Sequence, residues 1–591
     1  MGTDAGDDRL RFADFEADLA TGELFRLGKR IRVQRKPFQI LELLLRAGGA
    51  LVPREEIYDS VWPGVHVDQQ RCLNVAIRKL RTALAGCASS PQLVETVGSR
   101  GYRLAVPVAS LPLEKTNLPA RPEMTLAVLP IQNLSDSADD ILGYGMTEEM
   151  IAQLGRLCKQ VRVIAPLTSL HFQGTTKTQI QVAEELRADY ALAGTVLRVS
   201  RRLRITAKLM RMVDQSCLWS ESYARSDADI FLVQEEIARS IARAILRVLP
   251  PPRLPQAHLA TRPAVYEKYL KACFFSKKLE PCFEKALQLF EQVIREDPDF
   301  APAHASLGLL YHSMGMVGVL PPRVVHERIA SAATKAIALC EETADAHIAL
   351  GWTKLYYDAD LAGAETSFLR ALEINPSAVP AYFGYAALLA VLRRHKEAVS
   401  AAQRARELDP LSPQTNMNTA IALYGAGRSQ EALECIQNCV DIEPGFPPAW
   451  TIAGWIWEVL GKLDRAVTAY RTAVVRCPES PMLLAGLARG LALTGDTRTA
   501  RRRLAELLEL RSTRYVSPYW IALIYVALGQ QEDALTWLET SVRECCGWRI
   551  FLGIDPKLSA LSGNSRFQRL SHEIQLATIS RYHGQKARAA A

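Results

Sequence analysis

The spacing of apolar residues changes several times along the chain. Near the N-terminus, RFADF and ELFRLGKRIRV alternate between apolar and polar residues, which predicts short strands. Three segments with apolar residues three or four positions apart follow, and they predict helices over 36–49, 54–62 and 70–85. The run LVETVGSRGYRLAVPV then predicts two strands around a tight turn. Short strands, three helices and a terminal hairpin predict an α+β domain over 8–107.

A different pattern follows between 123 and 249. Apolar runs such as TLAVLPI and RLRITAKLMRM predict buried strands, and helical segments lie between them. We therefore expect an α/β domain with a mixed sheet. The proline-rich segments 108–122 and 250–263 flank this domain and are expected to be linkers that let the modules move independently.

One short motif of this domain has two interpretations. Gly143-x-Gly145 within GYGMTEEM resembles part of a phosphate-binding loop. The favoured alternative is that Thr147 caps a helix, with Glu148 and Glu149 in its first turn, because these acids would repel a phosphate.

Beyond this domain the sequence repeats itself with a period of 34 residues. Alanines, prolines and glycines keep the period: Ala364, Ala398, Ala432, Ala466, Ala500 and Ala534; Pro376, Pro410, Pro444 and Pro478; Gly427, Gly461, Gly495 and Gly529. This is the tetratricopeptide period, and it predicts an all-α superhelix of about eight helix pairs over 264–547. We expect 548–580 to be a C-terminal capping segment and 581–591 to be a disordered tail.

Composition and charge narrow the chemistry. The 591 residues have an ordinary globular balance, and the net charge of +8 is small for this length, so any nucleic-acid surface must be local. Twelve cysteines show no CxxC spacing, and we expect no metal site, no cofactor and no catalytic residues. The chain has no long apolar run and no signal peptide at its start, so a cytoplasmic location without a membrane anchor is expected.

The most basic segment is RCLNVAIRKLRTAL, residues 71–84, and no acidic residue lies between Asp68 and Glu95. On a helix, Leu73, Ile77, Leu80 and Leu84 form one apolar stripe, and the opposite side presents Arg71, Asn74 and Arg78. Arginine and asparagine can each bond two edges of a base in the major groove, while Lys79 and Arg81 suit phosphates. The alternative is an ordinary solvated helix face.

The first domain resembles the OmpR/PhoB-type winged-helix DNA-binding family over about 8–107, through PREEIYDSVW, LNVAIRKLRTAL and ETVGSRGYRL. The resemblance implies a winged helix-turn-helix whose third helix, 70–85, enters the major groove. It implies DNA contacts by Gln70, Arg71, Asn74, Arg78, Lys79 and Arg100, the last at the wing tip. It also implies that the loop PGVHVDQQ, with Gly64, His66 and Asp68, contacts RNA polymerase. Many family members carry an N-terminal receiver domain; we expect none here and expect control from the downstream modules.

The middle domain resembles the TolB-N/FlgO-like family through LAVLPIQNLSD, GMTEEMIAQL, ADYALAGTVLR and LRITAKLM. That family implies an interaction role and provides no catalytic set to transfer. The whole organisation is similar to one-component regulators of the HilA- and CadC-like families, without the membrane span of the latter.

The repeat array is expected to bind a protein, peptide or signal on its concave face. Candidate groove residues lie on the first helices of the repeats: Tyr382, Asn416, Asn418, Trp450 and Arg489. The alternative, that these side chains fill the packing between repeats, is favoured for each one singly. His304 and His347 occupy matching repeat positions, which explains them better than metal binding does.

Together these patterns predict a sequence-specific DNA-binding regulator of transcription, an activator of one-component type and not an enzyme. One alternative is a tetratricopeptide scaffold whose basic helix is incidental. Another is an enzyme within 123–249, against which the missing catalytic groups argue.

Overall fold

The computed structural model describes the following parts of the chain: 9–13, 15–19, 23–26, 29–31, 33–62, 69–84, 93–98, 100–106, 108–110, 118–119, 122, 124–135, 141–199, 202–226, 230–246, 261–278 and 282–590. The chain divides into two compact units, Met1–Asn117 and Leu118–Ala591.

The first unit contains two antiparallel sheets and three helices. Its strands are β1 Arg9–Phe12, β2 Phe15–Asp18, β3 Glu23–Arg26, β4 Lys29–Ile31, β5 Val52–Pro53, β6 Val94–Val97, β7 Gly101–Leu104 and β8 Val108–Ser110. They form one sheet of order β4-β3-β2-β1-β8 and a second of order β5-β7-β6. The helices are α1 Arg35–Arg46, α2 Arg54–Val61 and α3 Gln69–Leu84.

The apolar stripe of α3 is the side that packs into the core of this unit. Leu73, Ile77, Leu80 and Leu84 are buried with residues of α1 and of both sheets. The strand β7 approaches β5 so closely that a Cβ at Gly101 would lie 2.1 Å from the carbonyl oxygen of Val52, so only glycine fits there. The sheet also extends into the segment expected to be a linker, because β8 pairs with β1, Leu10 opposite Ser110.

The middle domain begins the second unit. Its strands are β9 Met124–Val128, β10 Gln132–Asn133, β11 Val161–Val163, β12 Tyr190–Val199, β13 Arg202–Arg211 and β14 Ser216–Ser226. Its helices are α4 Ile141–Leu157, α5 Pro166–Leu170, α6 Gln179–Glu185 and α7 Ile230–Leu246. The sheet has the order β11-β9-β12-β13-β14; β11, β9 and β12 are parallel, and β12, β13 and β14 are antiparallel. The sheet is therefore mixed, as predicted.

The motif around Gly143 is neither a phosphate loop nor a helix cap. It lies inside α4, and the buried Thr147 hydroxyl donates to the carbonyl oxygen of Gly143 at 2.8 Å and accepts from the backbone N–H of Ile131 at 3.0 Å. A Cβ at Gly145 would lie 2.4 Å from the side chain of Leu270, so this glycine permits close packing of α4 on the first helix of the array. The expected capping role of Thr147 was wrong because α4 begins six residues earlier, at Ile141.

The array consists of eight consecutive helix pairs among the described residues from 261 onward. The pairs are α8 Pro263–Ser276 with α9 Phe283–Glu296, α10 Ala301–Met316 with α11 Pro322–Leu339, α12 Ala344–Thr353 with α13 Leu361–Ile374, α14 Val379–Val391 with α15 His395–Leu408, α16 Pro413–Gly425 with α17 Ser429–Ile442, α18 Pro447–Val459 with α19 Leu463–Arg476, α20 Pro481–Leu493 with α21 Thr497–Leu510, and α22 Pro518–Ala527 with α23 Gln531–Arg543.

The small residues that keep the repeat period have specific places. The six periodic alanines are buried where helices cross. The periodic glycines 427, 461, 495 and 529 follow the first helix of each pair with φ between 70° and 89°, a left-handed turn that favours glycine. The predicted fold class, a winged helix, a mixed α/β sheet and an all-α tetratricopeptide superhelix, is confirmed.

The middle domain and the array belong to one compact unit, which corrects the expectation that they move independently. The carboxylate of Asp409, in the turn after α15, accepts from the Thr168 hydroxyl at 2.7 Å and from its backbone N–H at 2.9 Å. The backbone N–H of Ala165 donates to the carbonyl oxygen of Leu408 at 2.8 Å. These bonds join groups more than 240 residues apart in sequence. Residues 250–260 of the expected linker lie outside the described residues.

The chain after the array is ordered into short helices: 3₁₀ turns Gly547–Phe551 and Pro556–Leu561, helix α24 Ser565–Gln575, a π-helical turn Leu576–Ser580 and helix α25 Arg581–Ala590. The expected disordered tail is therefore helical up to Ala590. Tyr582 is buried against the array, a contact that the local sequence does not reveal. Among the described residues, no helix is long and apolar enough to span a bilayer.

Candidate nucleic-acid interface

The helix α3 presents a polar face to solvent opposite its buried stripe. Gln70, Asn74, Arg78 and Lys79 are exposed. Within the described part of the chain, the Arg78 guanidinium makes no hydrogen bond or ion pair, so its donors are available to a ligand. The same helix exposes about half of the Val75 side chain (49%). An exposed guanidinium with no partner among the described residues, beside an apolar side chain, suits the edges of base pairs and thymine methyl groups.

The wing, which is the β6–β7 hairpin, is bonded directly to α3. The Arg81 guanidinium donates to the carbonyl oxygen of Val94 at 2.8 and 3.0 Å and to the Thr96 hydroxyl at 2.8 Å. The Tyr102 hydroxyl donates to the Asn74 side-chain oxygen at 3.3 Å. Arg81 was predicted to contact phosphate. In the structure its guanidinium makes three hydrogen bonds that hold the wing against the helix.

The wing tip is a tight turn at Gly98, whose φ of +56° is left-handed and favours glycine. Arg100 follows it and is exposed. Across the hairpin, Arg103 donates to Glu95 at 2.9 Å, which neutralises that acid. The exposed positive charge of the tip is therefore that of Arg100.

A lysine that the sequence pattern did not single out lies beside α3. The Lys36 ammonium, near the start of α1, lies 4.8 Å from the ring centre of Trp62, and the Lys79 ammonium donates to the Gln34 side-chain oxygen at 2.9 Å. Together with Cys72 they line an open depression between the three helices. Two lysines at a helix N-terminus suit a phosphate group. The available signal was the basic run RKP in the first turn of α1, which periodicity alone did not connect with α3.

Some predicted site residues lie outside the described residues. These are the polymerase-loop candidates Gly64, His66 and Asp68, and the side chain of Arg71.

Three of the side chains predicted to line the groove of the array make the same hydrogen bond. The Tyr382 hydroxyl, the Asn416 amide and the Trp450 indole N–H each donate to the carbonyl oxygen six residues earlier, at 2.9, 2.8 and 3.2 Å. Those carbonyls belong to the periodic prolines that close the preceding helices. The ring nitrogens of His304 and His347 lie 2.8 and 2.9 Å from the carbonyl oxygens of Pro298 and Glu341, again six residues earlier. In five repeats, the side chain at this one repeat position therefore bonds to a carbonyl oxygen just after the preceding helix.

The structure corrects the groove prediction for Tyr382, Asn416 and Arg489, because all three are buried. Arg489 bonds to Glu458 at 2.9 Å and to the carbonyl oxygen of Leu523 at 2.9 Å, so it bridges neighbouring repeats. Trp450 and Asn418 keep partly exposed side chains. For these three buried residues, the structure agrees with the alternative that their side chains fill the packing between repeats.

Comparison with known families agrees with this arrangement of domains. The family "Transcriptional regulatory protein, C terminal" matches residues 28–104, which include α1 to α3 and the wing. The family "HilA/YgeH-like transcriptional regulator, second domain" matches 122–240. The tetratricopeptide repeat family matches 354–413 and 417–481.

Some similar proteins align with most of this chain, and others align with only part of it. The transcriptional regulator HilA of Salmonella typhimurium is 22% identical over 88% of this chain and 86% of its own length. The transcriptional activator protein IrlR of Burkholderia pseudomallei is 37% identical over 17% of this chain and 44% of its own length. A putative adenylate cyclase 3 of Rhizobium meliloti is 31% identical over 33% of each chain.

The winged helix, its exposed recognition helix and the matching families define a DNA-binding transcriptional regulator. Its DNA-binding domain is of the OmpR/PhoB type, its second domain is of the HilA/YgeH-like type, and its C-terminal part is a tetratricopeptide array. The predicted architecture and the regulator function are confirmed, and the scaffold without DNA binding is not supported.

Proposed function

We propose that this protein reads promoter DNA through Asn74 and Arg78 of α3. The observation that carries this proposal is the exposure of both side chains on a helix whose opposite face is locked into the core by Leu73 and Leu80. Arginine suits guanine and asparagine suits adenine, each through two bonds to one base edge. Gln70 and Arg71 precede them on α3, and we propose them as further contacts.

Phosphate contacts complete the proposed interface. Lys79, Lys36 and the wing-tip Arg100 would neutralise the backbone, which supplies affinity without sequence preference. Arg81 serves this interface indirectly: its bonds to Val94 and Thr96 hold the wing at a fixed angle to the recognition helix.

Selection of binding sites from a random duplex pool tests this proposal on the full-length protein. We expect one motif to be enriched, and we expect Arg78→Ala to lose the preference at one base pair of that motif. The matched control is Arg46→Ala. Arg46 is an exposed arginine at the C-terminal end of α1, and it is ion-paired with Glu42 at 3.0 Å. It should select the wild-type motif. Failure of the wild-type protein to enrich any motif would overturn the proposal.

We further propose that the protein is an activator that contacts RNA polymerase through the loop with Gly64, His66 and Asp68. The support is the family resemblance of that loop. In transcription with purified bacterial polymerase, a His66→Ala protein should bind the promoter like the wild type but give less transcript. Equal transcript from both proteins would exclude a contribution of His66 to polymerase contact.

The remaining parts of the proposal concern location and chemistry. Promoter binding requires the compartment that holds the chromosome, and on that ground we propose a cytoplasmic protein. A regulator of this domain composition needs no catalytic step, and we propose a non-enzymatic role for every domain. The array is proposed as the arm that receives a protein partner.

A further inference from the structure

The middle domain contains a second basic stretch of sequence without acids. No acidic residue lies between Asp189 and Asp214. The basic residues of this stretch are Arg198, Arg201, Arg202, Arg204, Lys208 and Arg211. The recognition helix α3 lies in a stretch of the same kind, between Asp68 and Glu95. Most of the second stretch forms the strands β12 and β13. A local concentration of positive charge is typical of a surface that binds a polyanion.

The strand β13 brings three of these cations to one face of the sheet. The odd-numbered residues from 203 to 209 are buried in the cluster that also contains residues of α4 and α7. Side chains alternate along a strand, so the even-numbered residues point to the opposite face. We use "open face" for this opposite surface, formed by the following residues of β13 and β14: Arg202, Arg204, Thr206, Lys208, Ser220, Ser222 and Ala224.

The open face is accessible to solvent. Arg202 and Arg204 are exposed, and Lys208 is partly exposed. The neighbouring residues 220, 222 and 224 of β14 are exposed as well. Helix α6 packs on the same side of the sheet only toward its far end, where Met210 is buried with residues of α6. The three cations therefore lie on a part of the sheet that a ligand can reach.

The three cations have no partners in the described part of the chain. Arg202, Arg204 and Lys208 make no hydrogen bond or ion pair with the described residues. Two other cations of the same stretch are paired with acids: Arg198 with Glu267, and Arg211 with Asp214. The charge of the open face is therefore not neutralised within the described chain.

Neither a facing acid nor protection of a sheet edge accounts for this row of cations. Glu221, the acid of β14, lies on the helix-covered face opposite Ala207 and accepts from the Tyr223 hydroxyl at 2.5 Å. Charged side chains often keep an edge strand from pairing with another chain. The strand β13 is not an edge, because it lies between β12 and β14. The row is therefore a surface of one charge sign in the middle of a sheet.

The dimensions and chemistry of the row suit the backbone of a DNA duplex. Residues of a strand advance by about 3.4 Å, so Arg202 and Lys208 lie about 20 Å apart. Each DNA strand carries one phosphate per about 3.4 Å of helix axis, so this length corresponds to about six phosphates. The Thr206 and Ser222 hydroxyls, 3.3 Å apart, can donate to phosphate oxygens. Protein interfaces, by contrast, are apolar at their centre and poor in lysine.

We propose that the open face of the middle domain binds the phosphate backbone of double-stranded DNA, as a second DNA contact besides the winged helix. This contact adds affinity without sequence preference, because phosphates carry no base information. The proposal rests on the DNA-binding role of the chain. It does not depend on base contacts by Asn74 and Arg78, so the two proposals can fail separately.

The salt dependence of DNA binding by the full-length protein tests this contact. The protein is titrated into a long fluorescein-labelled duplex of random sequence at several salt concentrations, and binding is followed by fluorescence anisotropy. The triple variant Arg202→Ala/Arg204→Ala/Lys208→Ala should bind at least about tenfold more weakly, and its salt slope should be smaller by about 2–3, because each lost phosphate contact removes about 0.9. On the selected DNA site its base preference should equal that of the wild type.

Two matched variants separate the open face from net charge. Arg498→Ala/Arg501→Ala/Arg502→Ala removes the same charge from exposed positions of α21 in the array and should bind DNA like the wild type. Arg202→Lys/Arg204→Lys/Lys208→Arg keeps the charge of the open face and should keep most of the affinity and the slope. Thermal unfolding checks that each variant is folded. The single variant Arg204→Ala, with a slope smaller by about one, decides the matter if the triple variant unfolds.

An unchanged salt slope in the folded triple variant would overturn the proposal and leave the open face to an acidic protein partner. An equal loss in the α21 variant would also overturn it, because net charge alone would then account for the effect. If the triple variant loses affinity and slope as expected while the wild type enriches no DNA motif, the proposed base reading fails and this inference stands.

Discussion

The recognition helix and the first helices of the repeats both contain arginine and asparagine, but these side chains serve different purposes in the two regions. On α3, Arg78 is exposed and makes no hydrogen bond or ion pair with the described residues. In the array, Arg489 is buried and bonds to a carboxylate and a carbonyl. The residue type alone therefore does not mark a binding site. What distinguishes the two arginines is whether the guanidinium already has partners among the described residues.

The largest expected effect concerns Arg489 and tests the structural half of this comparison. Among the described residues, Arg489→Ala leaves the buried Glu458 carboxylate with one hydrogen-bond donor, the Tyr470 hydroxyl, at 2.7 Å. We expect the free energy of unfolding of the array to fall by about 3–5 kcal/mol. Urea denaturation followed by circular dichroism measures it. Arg78→Ala is the control and should change stability by less than about 0.5 kcal/mol. Similar losses for both arginines would contradict the distinction.

A smaller effect concerns His312 and depends on pH. Its ring stacks on Trp352 at 4.5 Å, and burial lowers its pKa to about 3. The unfolded chain has a histidine pKa of about 6.5, so it takes up the proton first as pH falls. The stability contributed by neutral His312 is complete above that value and is lost progressively below it.

Between pH 7.5 and 5.5 the wild type should therefore lose about 1.4 kcal/mol more than His312→Phe, which keeps an aromatic ring in place. Urea titrations at both pH values measure the difference. The control is His572→Ala, an exposed histidine, which should follow the wild type. Parallel pH dependence of the wild type and His312→Phe would show that this ring is not held neutral.

The smallest stability effect concerns the repeated bond to the preceding helix. Tyr382→Phe removes the hydroxyl that donates to the carbonyl oxygen of Pro376 at 2.9 Å and leaves the ring in place. We expect a loss of about 1 kcal/mol in the free energy of unfolding. Fluorescence anisotropy should find the DNA affinity of this variant unchanged. Equal stability of Tyr382→Phe and the wild type would contradict a structural role for this hydrogen bond.

Local patterns were sufficient to predict the recognition helix and the repeat array. The buried side of α3 could be predicted because residues three or four positions apart lie on one face of a helix. That face carries Leu73, Ile77, Leu80 and Leu84. The 34-residue repeat predicted the array because each unit must stack on the next to bury its apolar face. The predicted major-groove face of α3 remains a prediction that the DNA measurements test.

Contacts between distant segments could not be predicted in this way. The bonds of Thr168 with Asp409 join segments with no shared pattern, so the middle domain was expected to move freely. The last residues have few apolar side chains and were therefore predicted to be a disordered tail. In the structure the Tyr582 hydroxyl donates to the buried carboxylate of Glu365, which lies 217 residues earlier. The role of Arg81 likewise depends on where the wing lies.

The groove candidates show what a repeat pattern can and cannot reveal. Tyr382, Asn416 and Trp450 are spaced by one repeat length, as are their proline partners, and that shared position was visible in the sequence. The direction of each side chain was not visible, because it depends on the turn between repeats. A position that recurs with different polar residue types is better interpreted as structural until its bonds are known.

The specificity ratio of the full-length protein tests the central claim most directly. It is the affinity for the selected DNA site divided by that for a scrambled duplex, measured by anisotropy over a range of salt concentrations. Arg78→Ala should weaken binding to the selected site by about 1–3 kcal/mol and lower the ratio accordingly. Lys79→Ala should weaken both duplexes alike, keep the ratio and reduce the salt slope by about one. Equal losses on both duplexes for Arg78→Ala would contradict the claim that α3 reads bases through this arginine.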